Sequence, residues 1–433
     1  MYKKFSILLI SVFFIGQAQV KLFPKDSLLA DFDQLTTKIE QNHINIYANI
    51  SKQAYGQKKQ ETRNKINKKM SALAFYKITQ PFVVLLKDGH TSIWIPVNEY
   101  HKLNPPVIPF LVKVNTNDST LTIKKNLVKF KDSLPAGSII LRINSIPYKE
   151  VVANMLRYVS GERYFFRLSF LNLTFVHFLY LLYPSDRYTF EYIYKGEKYT
   201  KTIRTVPYMD YVKNYKAQQQ TQQQKEQNFQ FKILSTKRQI GLLDFNRFNG
   251  RKKFDKFLDS IFGVLKTKKI KNLIIDLRDN RGGNNMLGYD LFQYISPVSF
   301  KFNDKILIRE GNNIKIIDHI ELVKLKKNPL RYDGNVYLLI NHQTFSSASE
   351  FSWAFKHYKI GKVIGEESGG MNICFGDTKT IQLEHTKIYA QVSFKEFYSV
   401  GADKKDIHGT LPDYEVLSDK ALDTAIHLIE INQ

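Results

Sequence analysis

The chain of 433 residues has a single cysteine, Cys374. One thiol closes no internal disulfide, so packed cores rather than cross-links must hold the fold. It sits in the apolar run Asn372-Ile373-Cys374-Phe375, the setting of a buried thiol rather than a nucleophile. No Cys and His group has the spacing of a zinc site, so neither metal nor cofactor is expected. Acidic residues are scarce: 40 Asp and Glu stand against 64 Lys and Arg, a formal net charge of +24 and a pI near 9.6. The lysines are spread along the chain, with no concentrated basic motif. That argues against a nucleic-acid partner and leaves association with anionic envelope polymers or head groups as the expected effect of charge. The most apolar stretch after the N-terminus, Tyr164 to Tyr183, is interrupted by Arg167, Asn172 and His177. It is read as a helix packed on a neighbouring domain, with an apolar ligand or membrane contact as the alternative. No internal repeat is visible.

What is present divides the chain. Lys3 and Lys4 precede an apolar run, Phe5 to Ile15, and small residues follow at Gly16-Gln17-Ala18. This is the pattern of a signal peptide over residues 1–18, cleaved near Ala18, and it predicts export to a periplasm or beyond the cell. The run is shorter than the ~20 residues that span a bilayer. Residues 19–104 read as a helical region. Leu28, Leu29, Phe32 and Leu35 recur at helical spacing, and the region closes on Asp88-Gly89-His90-Thr91. After Pro105-Pro106, residues 105–206 are rich in β pattern, with Thr120 to Ile123 alternating and a hairpin turning at Lys195-Gly196. Residues 207–230 are expected to form a polar linker, because the Gln-rich tract Gln218 to Gln227 has no apolar periodicity. Residues 231–433 alternate strand and helix. The near-continuous apolar runs Asn272 to Arg278 and Asn335 to Asn341 mark strands buried on both faces, so the fold class is α/β in a multidomain chain.

Two segments carry chemistry. In Ile340-Asn341-His342-Gln343-Thr344-Phe345-Ser346-Ser347-Ala348-Ser349-Glu350 a buried strand ends and a helix opens with small residues. A serine there projects from a strand's carboxyl end at a helix N-terminus, where N–H groups and the dipole favour developing negative charge. The same position also suits a simple N-cap. In Ile275-Asp276-Leu277-Arg278-Asp279-Asn280-Arg281-Gly282-Gly283-Asn284 another buried strand enters a Gly-rich loop. Its main-chain N–H groups suit an oxyanion hole or a phosphate cradle, but the Lys-Ser/Thr of a P-loop is missing.

Together these segments resemble the C-terminal-processing peptidases, which include the tail-specific proteases and the tricorn core. Asp276 to Gly283 matches the family's Asp-x-Arg-x-Asn-x-Gly-Gly, and Ser347 to Glu350 matches its Ser-Ala-Ser-Glu. Ile364 to Glu366 matches its Ile-Gly-Glu. The segment Pro135-Ala136-Gly137-Ser138-Ile139-Ile140-Leu141-Arg142-Ile143-Asn144 and the elements around it resemble the PDZ domain common in that family. The resemblance implies a PDZ-like domain, a catalytic core of the ClpP/crotonase-like type, and Ser347 as nucleophile. The N–H groups of Ala348 and of Gly282 or Gly283 would form the oxyanion hole, supported by Asp276, Arg278 and Glu350. The chain departs from the Ser-Lys branch, since no lysine follows Gly365-Glu366-Glu367-Ser368. A nucleophilic serine needs a base. Asp88-Gly89-His90-Thr91 resembles the histidine segment of the tricorn-like branch, and Asp406-Ile407-His408-Gly409 resembles its closing acidic segment. The implied triad is Ser347, His90 and Asp406, with His408 as a competing base. The expected partner is a peptide or unfolded protein. The alternative is a non-catalytic binder of apolar ligands or peptides on the same fold.

Overall fold

A computed structural model describes residues 20–127, 133–220 and 227–432. The expected signal peptide, 1–18, lies outside the described residues. Three helices come first, Lys25–Asn42, Lys52–Lys65 and Ala72–Val83. The second and third start behind serines, Ser51 and Ser71, whose hydroxyls accept the N–H of Ala54 and Ala74. A single 3-10 turn, Val84–Leu86, ends at Lys87 with φ of 50°. That left-handed residue turns the chain sharply into Asp88-Gly89-His90.

The β-rich unit is a sheet of strands Phe110–Val114, Leu121–Asn126, Ile139–Ile143, Arg187–Tyr194 and Glu197–Arg204, in that spatial order. The helices Tyr148–Leu156 and Tyr164–Leu182 pack with it. The second helix is apolar and long enough to cross a membrane by length and composition, but half of it is buried in the protein. Leu168, Leu171, Phe175 and Leu179 enter the same core as the N-terminal helices and the sheet. Asn172 Oδ1 accepts the N–H of Val114 at 2.6 Å, so one of its polar interruptions is a latch to the sheet.

Residues 208–220 differ from the expected linker: Tyr208–Gln220 is a helix. Tyr208, Tyr211 and Tyr215 recur at helical spacing and stack along it. The glutamines masked this aromatic period in the sequence.

The C-terminal half holds a six-stranded sheet in the order Phe229–Ser235, Ile240–Phe245, Asn272–Asp276, Asn335–Ile340, Lys362–Gly365, Tyr414–Glu415. The first pair is antiparallel and the rest are parallel. Alternate residues of the central strands serve two cores, because side chains alternate across a strand. Leu273, Ile275, Leu338 and Ile340 face the helices Arg251–Thr267, Met286–Ile295 and Ser347–His357. Ile274, Leu339 and Ile364 face the C-terminal helix Ala421–Ile431. A second sheet is built on the strand Tyr389–Ser399. On its edge lies the short strand Ser92–Ile93, with Ser92 opposite Gln391. This pairing draws the His90 segment onto the C-terminal half. Asp31 reinforces it by accepting the N–H groups of His385 and Thr386, each at 2.8 Å.

Candidate active site

Ser347 begins the helix Ser347–His357 at the carboxyl end of strand Asn335–Ile340. The turn between them is locked to the neighbouring Gly-rich loop. Thr344 Oγ1 donates to Leu277 O at 2.9 Å, the N–H of Phe345 donates to Asn280 O at 3.0 Å, and Asn341 Nδ2 donates to Asp279 Oδ1 at 2.9 Å. Ser346 has φ of 55° and ψ of −129°, an uncommon conformation for a residue with a side chain. It turns the chain so that Ser347 can open the helix. Gly282 lies directly behind: a Cβ there would sit 2.7 Å from Ser347 N and 2.8 Å from Phe345 O. With φ of +84°, Gly282 is a position where both space and backbone require glycine.

The Ser347 hydroxyl donates to Gly283 O at 2.7 Å. His90 is buried, and neither ring nitrogen has a hydrogen-bond partner. Its ring stacks on Phe345, centroids 4.5 Å apart. The structure thus brings His90 to the turn that carries Ser347 without a hydrogen bond between the two. Burial lowers the pKa of His90, while the carboxylates of Asp88 and Asp377 and the main chain of Phe375 oppose that shift.

The remaining expected residues divide. Asp406 Oδ1 accepts the N–H of His408 at 2.9 Å, closing its own turn, and makes no hydrogen bond to His90. This local Asx turn holds one oxygen of the Asp406 carboxylate. His408 pairs with Glu367, its Nδ1 3.3 Å from Oε1, while the Ser347 hydroxyl is bonded to Gly283 O rather than to this ring. Glu367 also faces Arg163 at 3.4 Å. Of the expected oxyanion donors, the N–H of Ala348 donates to Phe345 O at 3.2 Å and that of Gly282 to Asn280 Oδ1 at 2.9 Å. The N–H of Gly283 makes no hydrogen bond among the described residues. Arg278 clasps Asp276 at 2.6 Å and reaches Ser418 O at 2.5 Å, tying the Gly-rich loop to the C-terminal segment. Glu350 takes hydrogen bonds from Asn303 and Asn285, and burial pushes its pKa up to about 7.

Three residues at the site escaped the sequence reading. Phe345 is sandwiched between His90 and Phe166. Glu162 is buried with neither carboxyl oxygen hydrogen-bonded, and its Oε2 would lie 3.1 Å from a Cβ on Gly89. Burial, and then the nearby charge of Asp88, push its pKa up to about 8. His43 pairs with Asp88 at 3.1 Å. A lone acid or histidine at a helix end carries no sequence signal of such pairing. The half-buried Cys374 lines a cleft of about 460 Å³ with Glu162, Met371, Phe375 and Glu396, and burial raises its thiol pKa well above the usual value. Among the described residues, no group of three or more His, Cys, Asp or Glu side chains is placed to hold a metal ion.

A serine opening a helix against a Gly-Gly loop, with a histidine delivered by a separate segment, is an arrangement that suits a serine-type peptidase. Residues 239–416 match the model of peptidase family S41, which supports a serine peptidase of the C-terminal-processing type. The fold is similar to that of mature CPAF, at 13% identity and a TM-score of 0.67, covering 94% of this chain and 96% of that one. Mature CPAF complexed with lactacystin matches at 14% identity and a TM-score of 0.65, covering 94% and 97%. The photosystem II D1 C-terminal processing protease is 13% identical with a TM-score of 0.47, covering 93% and 97%.

Proposed function

We propose that the protein is an exported endopeptidase or carboxyl-end-directed peptidase that forms an acyl-enzyme at Ser347 with His90 as general base. The observation that carries this reading is the seat of Ser347. It opens a helix, is backed within contact distance by Gly282, and lies two residues from the ring that stacks on His90. Export rests on the Lys3-Lys4 and Phe5 to Ile15 pattern of the sequence.

Ser347 Oγ attacks the scissile carbonyl carbon while its proton passes to His90. The oxyanion gathers at the helix N-terminus, and the N–H of Gly283 is the donor left without a partner. His90 then protonates the leaving amine as the C–N bond breaks, and water hydrolyses the ester by the reverse use of the same base. In the arrangement described, the hydroxyl is turned to Gly283 O instead. Substrate engagement is therefore expected to rotate Ser347 towards His90, as catalytic hydrogen bonds often tighten only in the complex. The β-rich unit would present an extended peptide by PDZ-like strand addition.

The test is labelling of the mature chain with a fluorophosphonate probe, comparing wild type, Ser347→Ala and His90→Ala. Labelling of the wild type alone supports the reading. A folded wild type that resists labelling, even with peptide present, would overturn it.

A further inference from the structure

The cluster around Asp88 is more elaborate than a turn requires. Asp88 is buried, and both of its oxygens are engaged. Oδ1 accepts the main-chain N–H of His90 at 2.8 Å and lies 3.9 Å from His90 Nδ1. Oδ2 accepts Thr91 Oγ1 at 2.5 Å and faces His43 Nε2 at 3.1 Å. The other nitrogen of His43 fixes its tautomer. Nδ1 accepts the N–H of Asn45 at 3.0 Å, so a neutral His43 carries its proton on Nε2 and donates it to Asp88. Thr91 Oγ1 in turn accepts the N–H of Ser393, at 3.0 Å, from the long strand of the catalytic half. The carboxylate is therefore braced from the end of the first helix, from its own turn and from the sheet. Burial alone would favour the neutral acid, but His43, His90 and Thr91 hold Asp88 well below the usual carboxylate range. Among the described residues, it is the one carboxylate within 4.0 Å of a His90 ring nitrogen.

We propose that Asp88 is the positioning acid of the catalytic group, accepting the Nδ1 proton of His90 so that Nε2 is free to take the proton of Ser347. This rests on the reading of Ser347 and His90 as nucleophile and base. As the Oγ–carbon bond forms, the Ser347 O–H bond breaks and its proton moves to Nε2. The imidazolium then faces an Asp88 that stays ionised, and the proton leaves with the amine. The main chain of Phe375 is the hydrogen-bonding group against the His90 ring, and a side-chain rotation that releases it closes the 3.9 Å gap to Asp88. The other charged group facing His90 is Asp377. Glu162 lies beside Gly89. Burial keeps Glu162 largely protonated near neutral pH, so it brings little charge to the site.

The experiment uses the full mature chain as wild type, Asp88→Asn and Asp406→Asn, with fluorophosphonate labelling rates and peptide turnover followed against pH. Asp88→Asn is expected to lower kcat by about 10³–10⁴-fold at unchanged KM, the scale of losing the acid of a serine triad. Its residual activity should also extend to lower pH, because the Asp88 carboxylate raises the pKa of His90. A structural role alone would not move that limb. A near-wild-type rate in Asp88→Asn, or the larger loss in Asp406→Asn, would overturn the proposal. A second measurement needs no variant at Asp88. In ¹⁵N-histidine-labelled native protein, with the His90 signal assigned by its loss in His90→Gln, the Nδ1–H tautomer is expected. The Nε2–H tautomer would overturn the assignment of Asp88. An unlabelled wild type would instead sink the Ser347–His90 reading on which it rests.

Discussion

The ring of Phe345 lies on the imidazole of His90, with centroids 4.5 Å apart and planes 25° from parallel. Its other face meets Phe166 at 4.4 Å and 20°. The stack joins the histidine segment, the long apolar helix and the turn that carries Ser347. It locates His90, the proposed base, relative to Ser347 by packing rather than by a hydrogen bond. Phe345→Ala should therefore slow probe labelling of Ser347 by about 100-fold, the cost of a displaced catalytic group. It should also destabilise the fold by about 3–5 kcal/mol, as for other buried Phe truncations. Labelling kinetics and thermal unfolding test the two effects separately. An unchanged labelling rate would mean the stack does not set the ring's position.

Gly282 predicts a sharper split between activity and fold. A Cβ there meets the main chain of Ser347 and Phe345 at 2.7 and 2.8 Å, so alanine must push Ser347 aside. Gly282→Ala should lose at least ~10-fold in labelling rate. Its far-UV circular dichroism should be close to that of wild type. Wild-type labelling would show that the loop does not back the serine in the working enzyme.

The pH dependence of turnover follows from the burial of His90. The general base proposed here must be neutral, and burial holds His90 below its ordinary value of 6.5. Activity should thus persist as pH falls through the usual histidine range, with the acid limb of kcat/KM centred below 6.5. The same shift means that the stability contributed by neutral His90 is present above the unfolded pKa and is lost as pH falls. A limb centred above the usual value would contradict a buried base.

Glu162 gives the opposite slope. Its folded pKa is raised to about 8 from 4.5, so the folded state holds a proton that the unfolded chain releases. The corresponding stability is present below 4.5 and is lost as pH rises through about 8. Glu162→Gln replaces the acid with a neutral group of similar shape. It should melt at a higher temperature than wild type at pH 8 (measured by circular dichroism), and the difference should shrink towards pH 5. A constant difference would show that no buried proton is involved.

Asp31 fastens the first helix to the catalytic half through His385 N, Thr386 N and Thr386 Oγ1, the last at 2.6 Å. Asp31→Ala leaves these buried donors unpaired, at a cost of roughly 1–3 kcal/mol each before relaxation. The thermal midpoint should fall by several degrees. Labelling should fall with it, because the histidine arrives on the N-terminal region. Intact labelling in a destabilised protein would separate the latch from the site.

The sequence by itself determined the elements whose causes are local. Near-continuous apolar runs in Asn272 to Asp276 and Asn335 to Ile340 make strands with two buried faces, and Ser347 opens a helix where the second strand ends. The Gly282-Gly283 loop and the apolar helix Tyr164–Leu182 were likewise legible, since φ freedom and helical period are written in neighbouring residues. Tyr208–Gln220 was not, because its tyrosine period is diluted by polar residues. Only the tertiary structure decided which acid faces which histidine. Asp88 meets His43 across 45 positions, while Asp406, placed by resemblance beside His90, caps its own turn. Motif and spacing name residue types. The distances between them are set by how helix Lys25–Asn42 and strand Ser92–Ile93 dock on strand Tyr389–Ser399, a contact between segments some 300 residues apart. Docking is driven by burial of surfaces that no local window contains.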